Sequence, residues 1–92
     1  MSEKLKEFKK VAERTSDKDL TVMLMSEIMK TMSPETFTVG KLIVALAVAT
    51  QKLIEKKVIT EERGIRIASS AAIVVNDFFK QRKEMKWNEM NN

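Results

Sequence analysis

The side chains of this chain that could perform catalytic chemistry are carboxylates, lysines and the hydroxyls of serine and threonine, because histidine, cysteine and tyrosine are absent. Without them the chain lacks the usual proton shuttle, the thiol nucleophile and the commonest metal ligand. Two acid pairs, Asp17/Asp19 and Glu61/Glu62, could act as general acid and base or, with Asp77, bind a hard cation. The first four lie where helices are expected to begin, and there carboxylates act as caps or interact with the helix dipole. We therefore predict a protein that is not an enzyme, with no catalytic residue, metal site or cofactor.

Methionines offer a different chemistry, that of adaptable apolar contact. Four of them fall on one predicted helix: Met23, Met25, Met29 and Met32. Such flexible, polarizable side chains can line a groove that accepts varied partner helices. Met23 is expected to fill the core, which leaves Met25 and Met29 as the candidates for partner contact. The alternative is that all of them are ordinary core residues.

The C-terminal segment combines basic side chains with the single tryptophan of the chain. Its candidate contact residues are Lys80, Arg82, Lys83, Lys86, Trp87 and Met90. A tryptophan beside lysines can anchor a protein partner, stack on a nucleic-acid base or rest at a lipid headgroup layer. The alternative is that Trp87 folds back on the protein while the lysines stay solvated, since Glu84 and Glu89 dilute the positive charge.

Hydrophobic periodicity and capping signals predict the elements that position these residues. They indicate an all-α fold, a small and largely antiparallel four-helix bundle, with helices near 3–15, 18–32, 39–57 and 61–83. The N-cap residues predicted for these helices are Ser2, Ser16, Thr38 and Thr60, with Ser33–Pro34 as an alternative start for the third helix. The 92 residues are expected to form one domain, with residues 88–92 as a frayed end.

Residues 42–49 are apolar without interruption. A helix that is apolar on every side has to be covered on every side, by other helices or by a second subunit. A strand is the alternative for so short an apolar run. Three alanines in the run and the lack of a second similar segment for pairing favour the helix.

Small residues recur every four positions on two of the predicted helices. Gly64, Ala68 and Ala72 do so on the fourth helix, and Ala45 and Ala49 on the third. Each set lies along one helix face, and the two sets are in register for an antiparallel hairpin. We predict close packing of the two helices along this small-residue seam, with a dimer interface as the alternative.

These features favour a small binding or regulatory protein that acts through protein–protein association and self-associates, for example as a homodimer. One alternative is a basic nucleic-acid-associated regulator, since the net charge is +4. The segment that would have to read bases is, however, the most apolar one in the chain. Another is an immunity- or inhibitor-type protein that neutralises a toxin or a host factor, by analogy with small basic helical bundles.

The sequence also bears on location. The N-terminus lacks the pattern of a signal peptide, and the apolar run is far shorter than the roughly 20 residues that span a bilayer. We therefore expect a soluble, cytoplasmic protein with no transmembrane segment.

Overall fold

The computed structural model describes residues 2–33 and 38–91, with side chains described as far as residue 82. The described residues form four helices: α1 (Glu3–Glu13), α2 (Asp17–Lys30), α3 (Val39–Glu55) and α4 (Glu61–Asn91). The described residues contain no strand, so the predicted all-α four-helix fold is confirmed and the apolar run is helical. None of the described helices is both long and apolar enough to cross a membrane.

Each helix begins at a hydroxyl side chain, as predicted. The hydroxyl oxygen accepts a hydrogen bond from the backbone N–H three residues later, over 3.1 to 3.2 Å. The four N-caps are Ser2, Ser16, Thr38 and Thr60. Thr38 therefore starts α3, while the alternative at Ser33–Pro34 involves residues 34–37, which lie outside the described part of the chain. α4 continues to Asn91, past its predicted end at Lys83, and fraying of residues 88–92 stays a prediction.

α3 and α4 form an antiparallel hairpin, and their buried faces differ from the predicted seam. The buried rows are Leu42, Leu46 and Thr50 on α3, and Ile67, Ala71 and Val75 on α4. Ala68 is exposed, so the prediction of close packing there is wrong. The buried row of α4 passes instead through Ile67, whose side chain points about 100° away from that of Ala68 around the helix. Of the seam residues on α4, only Gly64 is buried, and it packs against Thr50 and Ile54.

α2 lies parallel to α4 and completes the core. Its first residue, Asp17, bonds to the start of α4, and one turn later the Thr21 and Ser70 hydroxyls lie 3.4 Å apart. Met25 is 5% exposed and belongs to the core, whereas Met23 is 38% exposed. The sequence-based assignment of Met23 to the core and Met25 to the periphery is therefore wrong. Both are apolar, and the inward direction of α2 is set by where α3 and α4 lie.

α1 contributes one fully buried residue, Ala12, while Leu5 and Phe8 pack against the edge of the core. Val11 is exposed and lies off this face. The guanidinium of Arg63, on α4, binds the backbone carbonyl of Ala12 at the end of α1 and that of Thr15 in the turn that follows. α1 is therefore attached to the bundle mainly at its C-terminal end.

The apolar run of α3 is covered on one side only by the described part of the chain. Leu42 and Leu46 are fully buried, but Val44 is 62% exposed and Val48 is 49% exposed. The prediction that this helix is covered on every side is therefore not met by the helices of a single chain. Its outward side remains open to a second molecule.

Candidate protein-binding groove

An apolar groove runs between α2 and α4 on the side away from α3. It consists of two adjoining cavities of about 420 and 450 Å³. Both cavities are lined by Val22, Met25 and Phe78. The remaining lining residues are Lys18, Ser26, Met29, Lys30, Ser70, Ile73, Val74, Asp77 and Gln81. We refer to this feature as the α2–α4 groove.

The groove has a buried apolar floor and an exposed apolar wall. Met25 and Val74 belong to the core and form the floor. Ile73, on the α4 wall, is 65% exposed. The half-buried ring of Phe78 stands at right angles to that of Phe79, with centroids 5.6 Å apart, and this edge-to-face contact orients it. Such a surface can bury apolar side chains of another molecule, and the unbranched methionines can adapt to their shape.

Charged side chains lie along the edges of the groove. Lys18 and Lys30 are on the α2 side, near the two ends of that helix, and Asp77 is on the α4 side. Lys30 forms an ion pair with Glu27 over 2.9 Å, but both side chains are well exposed. An exposed pair of this kind is weak and can exchange partners. The α2 edge is thus suited to carboxylates on a bound molecule.

The structure brings two of the predicted contact residues to this groove, and two others, Lys80 and Arg82, are not among its lining residues. Met25 and Met29 line it, as floor and wall. Lys80 and Arg82 are exposed further along α4. The remaining candidates belong to the last turns of α4, and their side chains lie outside the described part of the chain: Lys83, Lys86, Trp87 and Met90.

One member of each acid pair, Asp17 and Glu62, has an arginine partner. Asp17 accepts hydrogen bonds from Nε of Arg63 and from Nε of Arg66, each over 2.8 Å. Both bonds lower the pKa of Asp17 below its ordinary value of 3.8, and the bond from Arg66 has the larger effect. The same pairing raises the pKa of Arg66. A carboxylate with a lowered pKa stays ionised near neutral pH and is a poor proton carrier. The bonds of Asp17 instead link the start of α2 to the start of α4.

The position of Asp17 at a helix start was predicted, but its arginine partners were not. The available signal was the pair of arginines three residues apart at the start of α4. Glu62 lies 3.6 Å from Arg66 and extends this ion-pair cluster. Asp77 is exposed at the groove edge, on the solvent side of α4. Within the described residues, histidine, cysteine and acidic side chains form no group of three that could hold a metal ion.

The chain matches no protein-family model, and no curated protein and no solved structure matches it either.

Proposed function

We propose that this chain is a non-catalytic binding module whose α2–α4 groove holds an amphipathic helix of a protein partner. The observation that carries the proposal is an apolar groove that stays open between two parallel helices. Recognition of a helix in such a groove uses apolar anchors spaced by three and four residues, which enter side by side. The lack of histidine, cysteine and tyrosine supports the non-catalytic part.

Charge defines the partner more closely. The chain carries a net charge of +4, and the α2 edge of the groove presents Lys18 and Lys30. We expect the bound helix to carry acidic side chains along the edge that lies over α2. Complementary charges of this kind raise the association rate and fix the orientation of the partner more than they raise affinity.

The proposal also includes self-association and a cytoplasmic location. Self-association is supported by the exposed valines of α3. The cytoplasmic location is supported by the cysteine-free sequence, because disulfides form and persist in oxidising compartments.

The test is a binding titration with a designed probe. A fluorescein-labelled peptide of about 18 residues would carry leucines at helical spacing on one face and glutamates on the rest. Control peptides keep the composition but scramble the leucine spacing, or replace glutamate by lysine. We expect saturable binding by fluorescence anisotropy for the acidic amphipathic peptide and weaker binding for both controls.

A matched pair of variants then locates the site. Ile73 lines the groove, whereas Ile65, two turns earlier on α4, lies outside its lining and is 59% exposed. Because both side chains are exposed, Ile73→Glu and Ile65→Glu should leave the helical circular dichroism unchanged. We expect Ile73→Glu to weaken peptide binding at least about tenfold and Ile65→Glu to change it less than about twofold.

Several results would overturn the proposal: no saturable binding, equal binding of the scrambled peptide, or equal effects of the two isoleucine variants. A duplex DNA oligonucleotide is included in the same assay at about 150 mM salt. Binding of the DNA without binding of the peptide would favour the nucleic-acid-associated alternative instead.

A further inference from the structure

The outward side of α3 carries a regular stripe that the bundle does not use. Its residues are Lys41, Val44, Val48, Gln51 and Glu55, all of them exposed. Their spacing alternates between three and four, which is the pattern of a helix that packs lengthwise against another helix. We refer to these five residues as the outer stripe of α3.

The stripe has an apolar centre and oppositely charged ends. Val44 and Val48 occupy the middle, with exposed fractions of 62% and 49%. Lys41 lies toward the N-terminal end of α3 and Glu55 is its last residue. β-Branched side chains such as valine have few rotamers, so little side-chain entropy is lost when they are buried in a contact. Among the residues that the structure describes, neither Lys41 nor Glu55 forms an ion pair that would compete.

We infer that the outer stripe of α3 is the self-association surface, and that it pairs with the same stripe of a second copy in antiparallel orientation. An antiparallel pair places Val44 of one copy against Val48 of the other, twice by symmetry. In this register Lys41 of each copy lies opposite Gln51 of the other and one helical turn from its Glu55, within reach of the two long side chains. A parallel pair would instead place lysine beside lysine and glutamate beside glutamate, which is unfavourable.

This inference rests on the self-association part of the proposed function and is independent of the α2–α4 groove. An interface formed by one pair of helices is small, so we expect a weak, concentration-dependent dimer. It would complete the cover of the apolar run, whose inward side is already buried by Leu42 and Leu46.

The experiment is sedimentation equilibrium of the full chain over protein concentrations from about 5 to 500 µM, the range in which weak dimers dissociate. We expect masses that rise from the monomer value of 10.6 kDa toward twice that value. Val44→Glu combined with Val48→Glu should leave a monomer at every concentration while the helical circular dichroism stays unchanged. A dimer that persists in this variant would overturn the stripe but not self-association, whereas a wild-type monomer throughout would overturn both.

Charge reversal tests the orientation. In the antiparallel pair, Lys41→Glu and Glu55→Lys each turn two attractive contacts into repulsive ones, so each should weaken dimerisation about three- to tenfold. The double variant restores opposite charges and should return the dissociation constant to within about twofold of the wild type. Lys4→Glu, on α1, gives the same charge change away from the stripe and should have little effect. A double variant no better than the single ones would overturn the antiparallel arrangement.

Discussion

Nε of Arg63 donates a hydrogen bond to Oδ1 of Asp17 over 2.8 Å and thereby joins the start of α4 to the start of α2. The same guanidinium donates from Nη1 to the carbonyl of Ala12 over 2.6 Å and from Nη2 to the carbonyl of Thr15. These carbonyls belong to the end of α1 and to the turn that follows, where helix carbonyls have no partner within the helix. One arginine thus binds three consecutive segments of the chain.

Replacing Arg63 by lysine should destabilise the protein by about 2 to 3 kcal/mol. A lysine cannot reproduce the planar set of donors. Oδ1 of Asp17 and the carbonyl of Thr15 would lose their bonds from Arg63, while the carbonyl of Ala12 would keep its bond from the N–H of Thr15. The matched control is Arg66→Lys, which affects the same carboxylate. The Arg66 side chain is 52% exposed against 16% for Arg63, so Arg66→Lys should destabilise the protein clearly less than Arg63→Lys does. Urea unfolding monitored by circular dichroism measures both, and equal losses would contradict this account.

The lowered pKa of Asp17 predicts how stability depends on pH. A carboxyl group whose pKa is lower in the folded than in the unfolded state stabilises the fold above its unfolded pKa. That contribution is lost as the pH falls from about 4 through the lower, folded pKa. At pH 7, Asp17→Asn should therefore cost about 1 to 2 kcal/mol.

The difference between wild type and Asp17→Asn should shrink when unfolding is measured near pH 3, because the carboxyl group of the unfolded wild-type chain then binds a proton more readily than that of the folded chain. Asp19→Asn is the control, since Asp19 lies in the same first turn of α2 without an arginine bond among those resolved. If Asp17→Asn lowered the free energy of unfolding equally at both pH values, the pH dependence of stability would not arise from Asp17.

The helices and their starting points were predictable because both depend on residues close together in sequence. A cap needs only a hydroxyl and the N–H three residues later, and all four caps are of this kind. The contacts of Arg63 join residues that are 46 to 51 positions apart, and the arginines at the start of α4 do not by themselves indicate which distant residues they bind. The α2–α4 groove was foreseen only in part, through Met25 and Met29, whose role in binding stays a prediction.

The errors have a common physical origin. Met23, Met25 and Ala68 are all compatible with either side of a helix by residue type. A shift of one position rotates a side chain by about 100°, so the inward face depends on where the neighbouring helices lie. For α3, apolar residues on every side gave no inward direction at all, and only the fold shows that Val44 points outward.

Gly64 should resist substitution although it lies inside a helix. A Cβ atom at this position would overlap the end of the Ile54 side chain and come within 2.8 Å of its Cγ1. Alanine gains about 1 kcal/mol in helix propensity, but this overlap outweighs the gain, so we expect Gly64→Ala to destabilise by about 1 kcal/mol. Thermal unfolding provides the measurement.

Two variants make the Gly64 prediction specific. In an Ile54→Ala background the space is free, and Gly64→Ala should then stabilise by roughly its propensity gain. Gly40→Ala is the control, because an added Cβ there meets nothing within 4 Å, and it should stabilise by about 0.5 kcal/mol. If Gly64→Ala were stabilising in the wild-type background, the close contact with Ile54 would be refuted.

Lys57 occupies a backbone conformation that suits glycine. Its φ is 61°, in the left-handed region just after the end of α3. Its N–H bonds to the carbonyl of Ile54 and the N–H of Val58 to that of Leu53, each over 2.9 Å, which is the Schellman arrangement of a helix end. A residue with a Cβ destabilises the fold by about 1 to 2 kcal/mol in this conformation. Replacing it by glycine removes that cost, but glycine loses more conformational entropy on folding, which offsets part of the gain.

Lys57→Gly should therefore stabilise the protein by about 0.5 to 1 kcal/mol and raise its melting temperature by several degrees. Lys57→Ala separates the backbone effect from the loss of the lysine side chain, because alanine keeps the Cβ. It should leave stability unchanged or slightly lower it, since a positive charge near a helix C-terminus is favourable. Equal melting temperatures for the glycine and alanine variants would show that the left-handed conformation of residue 57 carries no cost.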